Sequence, residues 1–264
     1  MQSYRTPPVI DLTWFQQAQG KSLSHPSRTQ QSYDIFEHEG LRWVCSADGS
    51  VQSMVMLDDP AYPVFGYIKG LLCALLFVQH PENLLNLGLG SGAIERFMLS
   101  QLPDVELSSV EPDPDMISLS RECFFLPDSH PVQEDSAQAF LAGNQRPFDI
   151  IICDIHPKPG TPNPLLSDSF FQDIATSLTP HGIAAINYLP PNEEEIVRML
   201  LRIRSSLPWV VLFDVPAQQN IVLFCSTSKP ADRSVLCSRA GEFRHLSNLE
   251  PAAVCEQLIW LPER

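Results

Sequence analysis

Basic residues are scarce in this chain. Only 17 Lys and Arg stand against 31 Asp and Glu over 264 residues, a net charge of −14. Such a surface repels a phosphate backbone, so nucleic acid is excluded as the default partner. Long apolar runs are missing too. The longest, Leu71 to Val78, covers eight residues, against roughly 20 for a bilayer crossing, and no membrane span is expected. The first 17 residues, MQSYRTPPVIDLTWFQQ, hold no basic stretch followed by an apolar core, so no secretory leader is expected. None of the seven cysteines forms a CxxC pair, and several sit inside apolar runs. That is the usage of reduced, buried thiols in a cytoplasmic protein. The seven histidines show no HExxH or HxH spacing, so no protein-held metal is expected. With 44% apolar and 18% charged residues, a largely disordered chain is also excluded.

What is present divides into four stretches. Residues 1–32 are Gln-, Ser- and Pro-rich and read as a flexible arm. Residues 33–80 hold two short apolar runs flanking His38-Glu39-Gly40, then Asp48-Gly49, then a third run from Val51 to Leu57. This is the pattern of a small antiparallel sheet, and an apolar helix is expected over 62–79. From 81 to 228 short apolar runs alternate with helical periods: strands near Leu84–Leu87, Glu106–Val110, Val132, Phe148–Cys153, Gly182–Tyr188, Trp209–Phe213 and Ile221–Cys225. The last two are too close for a parallel crossover, so they pair antiparallel. The rest predicts an α/β doubly wound, seven-stranded sheet with Leu84–Leu87 central. Residues 229–264 form a C-terminal tail without a clear period.

Four features of the alternating stretch carry chemistry. Gly88-Leu89-Gly90-Ser91-Gly92 follows the first strand and opens a helix, where glycines let a ligand approach free backbone N–H groups. Glu111 ends the second strand, 19 residues past Gly92, and an acid there takes both hydroxyls of a ribose. The bland alternative is a solvated acid beside a helix start, since Asp113 and Asp115 crowd the same end. Asp135 follows the third strand, where a carboxylate accepts from an adenine amino group or caps the next helix. Asp154 ends FDIIIC, in the crevice where such sheets bind ligands, and there it can serve as a base. The loop after it, 155–164, contains four prolines and is placed to cover a substrate.

Asp48-Gly49-x-x-Gln52, then Asp58, Asp59 and Tyr62, then the glycine turn, Glu111, Asp135, Asp154 and Phe170-Phe171 together resemble the spermidine synthase (polyamine aminopropyltransferase) family, over about residues 33–228. The resemblance implies a class I S-adenosylmethionine methyltransferase-like fold behind an N-terminal β-sheet. It implies S-adenosylmethionine or its decarboxylated form as co-substrate, without a metal, and transfer of an aminopropyl group to a small-molecule amine in polyamine biosynthesis. Gln52 would contact cofactor or substrate, Tyr62 would line the amine pocket, Glu111 would hold the ribose and Asp135 the adenine. Asp154 would take the proton. Gly88, Gly90, Ser91 and Gly92 would cradle the cofactor, and a homodimer would form through the N-terminal sheet. Four departures stand out. Ser91 replaces an Asp that holds the cofactor's ammonium, Pro63 and Val64 replace an amine-binding acid, His156-Pro157 with Lys158 replaces Asp-Pro, and residues 216–220 lack a Tyr. Losing several charge partners argues for an acceptor other than putrescine. Methyl transfer and a non-catalytic role on the same fold are the alternatives.

Overall fold

A computed structural model of the chain describes residues 33–46, 49–156, 163–243 and 249–262, together with the backbone of 21–23. Apart from that strand, the arm expected over 1–32 lies outside the described residues. So do Asp48 and residues 157–162 of the proline-rich loop.

A four-stranded antiparallel sheet comes first, with strands β1 (Lys21–Leu23), β2 (Asp34–His38), β3 (Leu41–Cys45) and β4 (Val51–Met56) in chain order. The β2–β3 turn places both Glu39 and Gly40 at positive φ, 49° and 81°. This is the mirror-image turn that matches strand twist, with Gly where a side chain is least welcome. Pro60 and Pro63 disfavour helix at Asp59 and Tyr62, and a turn forms there instead, the Tyr62 amide donating to Asp59 O at 3.0 Å. Helix α1 therefore begins at Gly66 rather than at 62, runs to Leu72, and tightens into a 3₁₀ turn over Cys73–Leu76.

The second sheet holds β5 (Asn83–Leu87), β6 (Glu106–Glu111), β7 (Val132–Glu134), β8 (Phe148–Cys153), β9 (Leu178–Tyr188), β10 (Trp209–Asp214), β11 (Ile221–Ser226) and β12 (Ile259–Trp260). Their order is β12-β10-β11-β9-β8-β5-β6-β7. β5 is central and parallel to both neighbours, β6 and β8. β11 runs antiparallel between β9 and β10, as the short link requires. The eighth strand, two residues long, comes from the C-terminal segment and pairs with β10.

Helices α2 (Ala93–Gln101), α3 (Pro114–Glu122), α4 (Ala137–Gly143), α5 (Asp168–Thr176) and α6 (Glu193–Ile203) cover the sheet, and α7 (Arg233–Glu242) and α8 (Pro251–Gln257) close the chain. β8 shows why the sheet is apolar throughout. Its period of two sends Ile150 and Ile152 into the layer of α1, α2, α7 and α8, and Ile151 and Cys153 into the layer of α4, α5 and α6. Both faces are buried, so no polar alternation survives in the sequence. The N-terminal sheet lays Ile35, Val44 and Val55 on Met116 and Leu119 of α3. That contact fixes it beside the carboxyl ends of β5 and β6.

Candidate active site

The glycine turn joins β5 to α2, and three of its residues take positive φ: Gly88 at 97°, Gly90 at 52° and Gly92 at 81°. A Cβ on Gly88 would collide with the backbone carbonyl of Asp154, so this glycine lets the turn and the end of β8 touch. Around Gly90 the nearest side-chain atom to such a Cβ is 3.9 Å away, which leaves an open cradle against exposed backbone. Behind the turn, Asn86 Nδ2 donates to the Gly88 carbonyl at 3.1 Å and to Glu95 Oε1 at 2.6 Å. Ser109 Oγ also donates to Glu95 Oε1, at 2.7 Å. Complete burial pushes the Glu95 carboxyl above the usual carboxylate range. Arg96 ties the turn to its surroundings by donating to the carbonyls of Pro60 (2.7 Å), Phe124 (2.8 Å) and Ser91. Its burial lowers the guanidinium pKa to about 10.

Glu111 ends β6 against the turn. Oε2 accepts from the Leu89 amide and Oε1 from the Asp113 amide, each at 3.0 Å. Open backbone at Gly90 and a fixed acid facing it fit an adenosine ribose. Asp113 is the N-cap of α3, accepting from the Asp115 amide at 3.0 Å, and Tyr33 donates to its other oxygen at 2.5 Å. Burial and that bond to Asp113 raise the Tyr33 phenol. The crowding of acids at this end thus caps the helix while Glu111 orders the turn.

Asp154 continues the β8 ladder by donating its amide to Leu87 O at 2.9 Å. Its side chain is 13% exposed. Oδ1 accepts from Asn187 Nδ2 at 2.8 Å, and His156 Nδ1 lies 3.7 Å from the same oxygen. Tyr67 of α1 faces this carboxylate, and burial first, then the Asp154 charge, raises its phenol well above the ordinary value. Asn187 and Tyr67 are not among the residues singled out from the sequence. The first was signalled by a polar residue inside the apolar AAINY run, and the second had no local mark.

Tyr62 packs under the N-terminal sheet beside Trp43 and Phe65. Its hydroxyl accepts from Lys69 Nζ at 3.2 Å, and the ammonium sits 5.1 Å from the ring centroid. Lys69 also donates to Glu250 of the C-terminal segment at 2.9 Å. Burial alone would lower this ammonium, but Glu250 and Tyr62 outweigh it and hold it above its usual range. The wall expected to receive a substrate cation carries a cation of its own.

Three expected residues sit differently from the sequence reading. The Ser91 hydroxyl is fully buried and bonded to Ser53 Oγ at 2.6 Å, so in this rotamer it meets the N-terminal sheet rather than a ligand. Gln52 donates to Ser46 Oγ (3.1 Å) and Ser50 Oγ (2.9 Å) in its own hairpin turn, and strand alternation puts it on the face opposite Ser53. Asp135 does not cap α4. Ser136 does, accepting from the Ala139 amide at 3.1 Å. Asp135 follows β7 one residue after Glu134, the register partner of Glu111, and borders a cleft of about 600 Å³ with Phe140, Asn144 and Arg146. Among the described residues no group of three His, Cys, Asp or Glu is arranged to hold a metal. No described helix is long and apolar enough to cross a membrane.

A doubly wound sheet with a glycine turn after its first strand, an acid on the second and a carboxylate on the fourth defines the class: a methyltransferase-like α/β fold. No protein-family profile matches the sequence. The polyamine aminopropyltransferase of Neisseria meningitidis is 25% identical over 224 residues, covering 82% of this chain and 84% of that protein. The human eEF1A lysine and N-terminal methyltransferase is 26% identical over 188 residues, 63% of this chain but 27% of that protein. Among solved structures, a probable spermidine synthase from Corynebacterium glutamicum superposes with TM-score 0.72 at 17% identity, over 92% of this chain and 91% of that one. Human methyltransferase-like protein 13 with SAH gives 0.60 at 22% identity, over 72% and 92%. Spermidine synthase with the transition-state analogue AdoDATO gives 0.61 at 20% identity, over 78% and 72%. The chain is thus similar over most of its length to polyamine aminopropyltransferases, and it has a methyltransferase-like fold.

Proposed function

We propose that the chain is a transferase that binds S-adenosylmethionine in its decarboxylated form and passes the aminopropyl group to a small amine acceptor. The observation that carries this reading is the Asp154 carboxylate. It is anchored where β8 meets the glycine turn and held on one oxygen by Asn187. The relatives support the same chemistry, and the SAH and AdoDATO complexes of two structural neighbours support an adenosine-containing sulfur compound as ligand. The co-substrate supplies a sulfonium leaving group. Glu111 and the glycine turn orient the nucleoside, and Asp154 accepts the proton as the amine nitrogen forms its new bond to carbon. The carbon–sulfur bond breaks in the same displacement, and methylthioadenosine departs. A good leaving group needs positioning and one base.

The test is release of methylthioadenosine from the decarboxylated co-substrate with a panel of primary amines. Asp154→Asn should lower that release by about 10²-fold or more, the scale of a general base, with methylthioadenosine affinity within about threefold. Release of S-adenosylhomocysteine from S-adenosylmethionine instead would assign methyl transfer. Ser91 favours that second reading. Its uncharged side chain, turned to Ser53, neither attracts an ammonium nor repels a carboxylate. We therefore expect both forms of the co-substrate to bind within about tenfold, or 1.4 kcal/mol, and Ser91→Asp to favour the decarboxylated one. A thousandfold preference in the wild type would show an ammonium anchor elsewhere. We further infer a cytoplasmic homodimer through the N-terminal sheet, to be checked by light scattering at micromolar concentration.

A further inference from the structure

The β10–β11 loop, residues 215–220, reaches the Asp154 carboxylate through a chain of two side-chain amides. Asn220 Nδ2 donates to Asn187 Oδ1 at 2.9 Å, and Asn187 Nδ2 donates to Asp154 Oδ1 at 2.8 Å. Two positions away, Gln218 Oε1 accepts from the Tyr67 amide at 3.1 Å. This is the segment where the sequence lacks the family's tyrosine. We infer that Asn220 and Asn187 are positioning residues that form a directional amide relay to Asp154, and that this relay keeps the carboxylate turned toward the acceptor.

The argument is one of direction. A primary amide presents a donor at one end and an acceptor at the other. Asn187 is buried at 5% exposure, so it cannot turn for water. A donor from Asn220 at its oxygen forces its NH₂ toward Asp154. Turned around, Asn187 would set its oxygen against a carboxylate oxygen, two acceptors with no hydrogen between them. Because the bond uses Oδ1, Oδ2 has no protein donor among the described residues. The other titratable groups facing Asp154 are His156 on its own segment, Tyr67 from α1 and Cys153 beneath it. None of them fixes the carboxylate's direction as a short N–H bond does. The pair is set by sheet register: Asn187 lies opposite Val222 and Tyr188 opposite Ile221, so the residue before β11 overhangs the end of β9. Ala217 at φ 59° bends the loop between Gln218 and its approach strand.

This inference rests on reading Asp154 as the base, but its test needs no substrate. In ¹⁵N-labelled full-length protein at neutral pH, the Asn187 side-chain NH₂ pair should carry one downfield, slowly exchanging proton from its bond to the carboxylate, and Asp154→Asn should move it. Asn220→Leu should return that proton toward the position of a solvated amide, whereas Asn220→Gln, which keeps a donating NH₂, should hold the wild-type position. The same spectra report whether each variant is folded. An Asn187 pair without a downfield proton in the wild type would overturn the proposal. So would identical Asn187 signals in folded wild type and Asn220→Leu. If the signature behaves as expected while no nucleoside binds, the relay stands and the transferase reading falls.

Discussion

Glu111 holds the turn through the Leu89 and Asp113 amides, one on each carboxylate oxygen, and is the acid proposed to meet the ribose. Its substitution therefore separates nucleoside binding from chemistry. Glu111→Ala should weaken methylthioadenosine binding by about 2 kcal/mol, the scale of charge-assisted hydrogen bonds, measured by isothermal titration with circular dichroism confirming the fold. Unchanged affinity in a folded variant would remove the main reason for placing a ribose here. Residues at this scale were unevenly legible. Glu111 and Asp154 were legible as acids at the carboxyl ends of strands, and β6 and β8 end there. Ser91, Gln52 and Tyr62 were readable only as types. Their hydroxyl, amide and phenol are committed to Ser53, the Ser46–Ser50 turn and Lys69, partners that no local spacing reveals.

At the scale of elements, the strand-to-turn junction of β5 is the part least tolerant of change. Gly88→Ala would put a methyl group into the Asp154 carbonyl at a φ of 97°, and strain of that kind costs of order 1–3 kcal/mol before any collision is counted. We expect a loss of about 3 kcal/mol or more in urea unfolding. Gly143→Ala, at the end of α4 with nothing within 4 Å, should be neutral or gain up to about 1 kcal/mol. The doubly buried strands were legible because their apolar runs are continuous, and α6 because Asn192 caps it, accepting from the Glu195 amide at 3.0 Å. Helices α7 and α8 were not. Helix α7 buries only Leu236 and Ala240 over its ten residues, and α8 spans only seven, too little to show a period. The Asn220–Asn187–Asp154 chain was also hidden, because it exists only once β9 and β11 pair in register.

The whole molecule carries a pH dependence in its buried polar cluster. His130 Nε2 lies 2.9 Å from Ser109 Oγ, and burial, then the Arg121 charge, lowers its pKa from 6.5. The unfolded chain takes up this proton first as pH falls through 6.5, so native stability declines from there until the folded group also titrates. Melting temperature should drop between pH 7.5 and 5.5, and His130→Gln should drop less over the same interval. An equal drop in both would place the dependence elsewhere. The final two-residue strand has a consequence on this scale as well. β10 is a run of Trp209-Val210-Val211-Leu212-Phe213, and β12 lies along its outer side through Val211 and Leu212. Leu261 donates to Val210 O at 3.1 Å, and Arg204 to Pro262 O. Sheet margins of that composition recruit other chains when left bare. The far end of the chain is thus a guard against aggregation. A variant ending at Leu258 should keep its helices and sheet by circular dichroism yet form concentration-dependent assemblies in light scattering that the full chain does not.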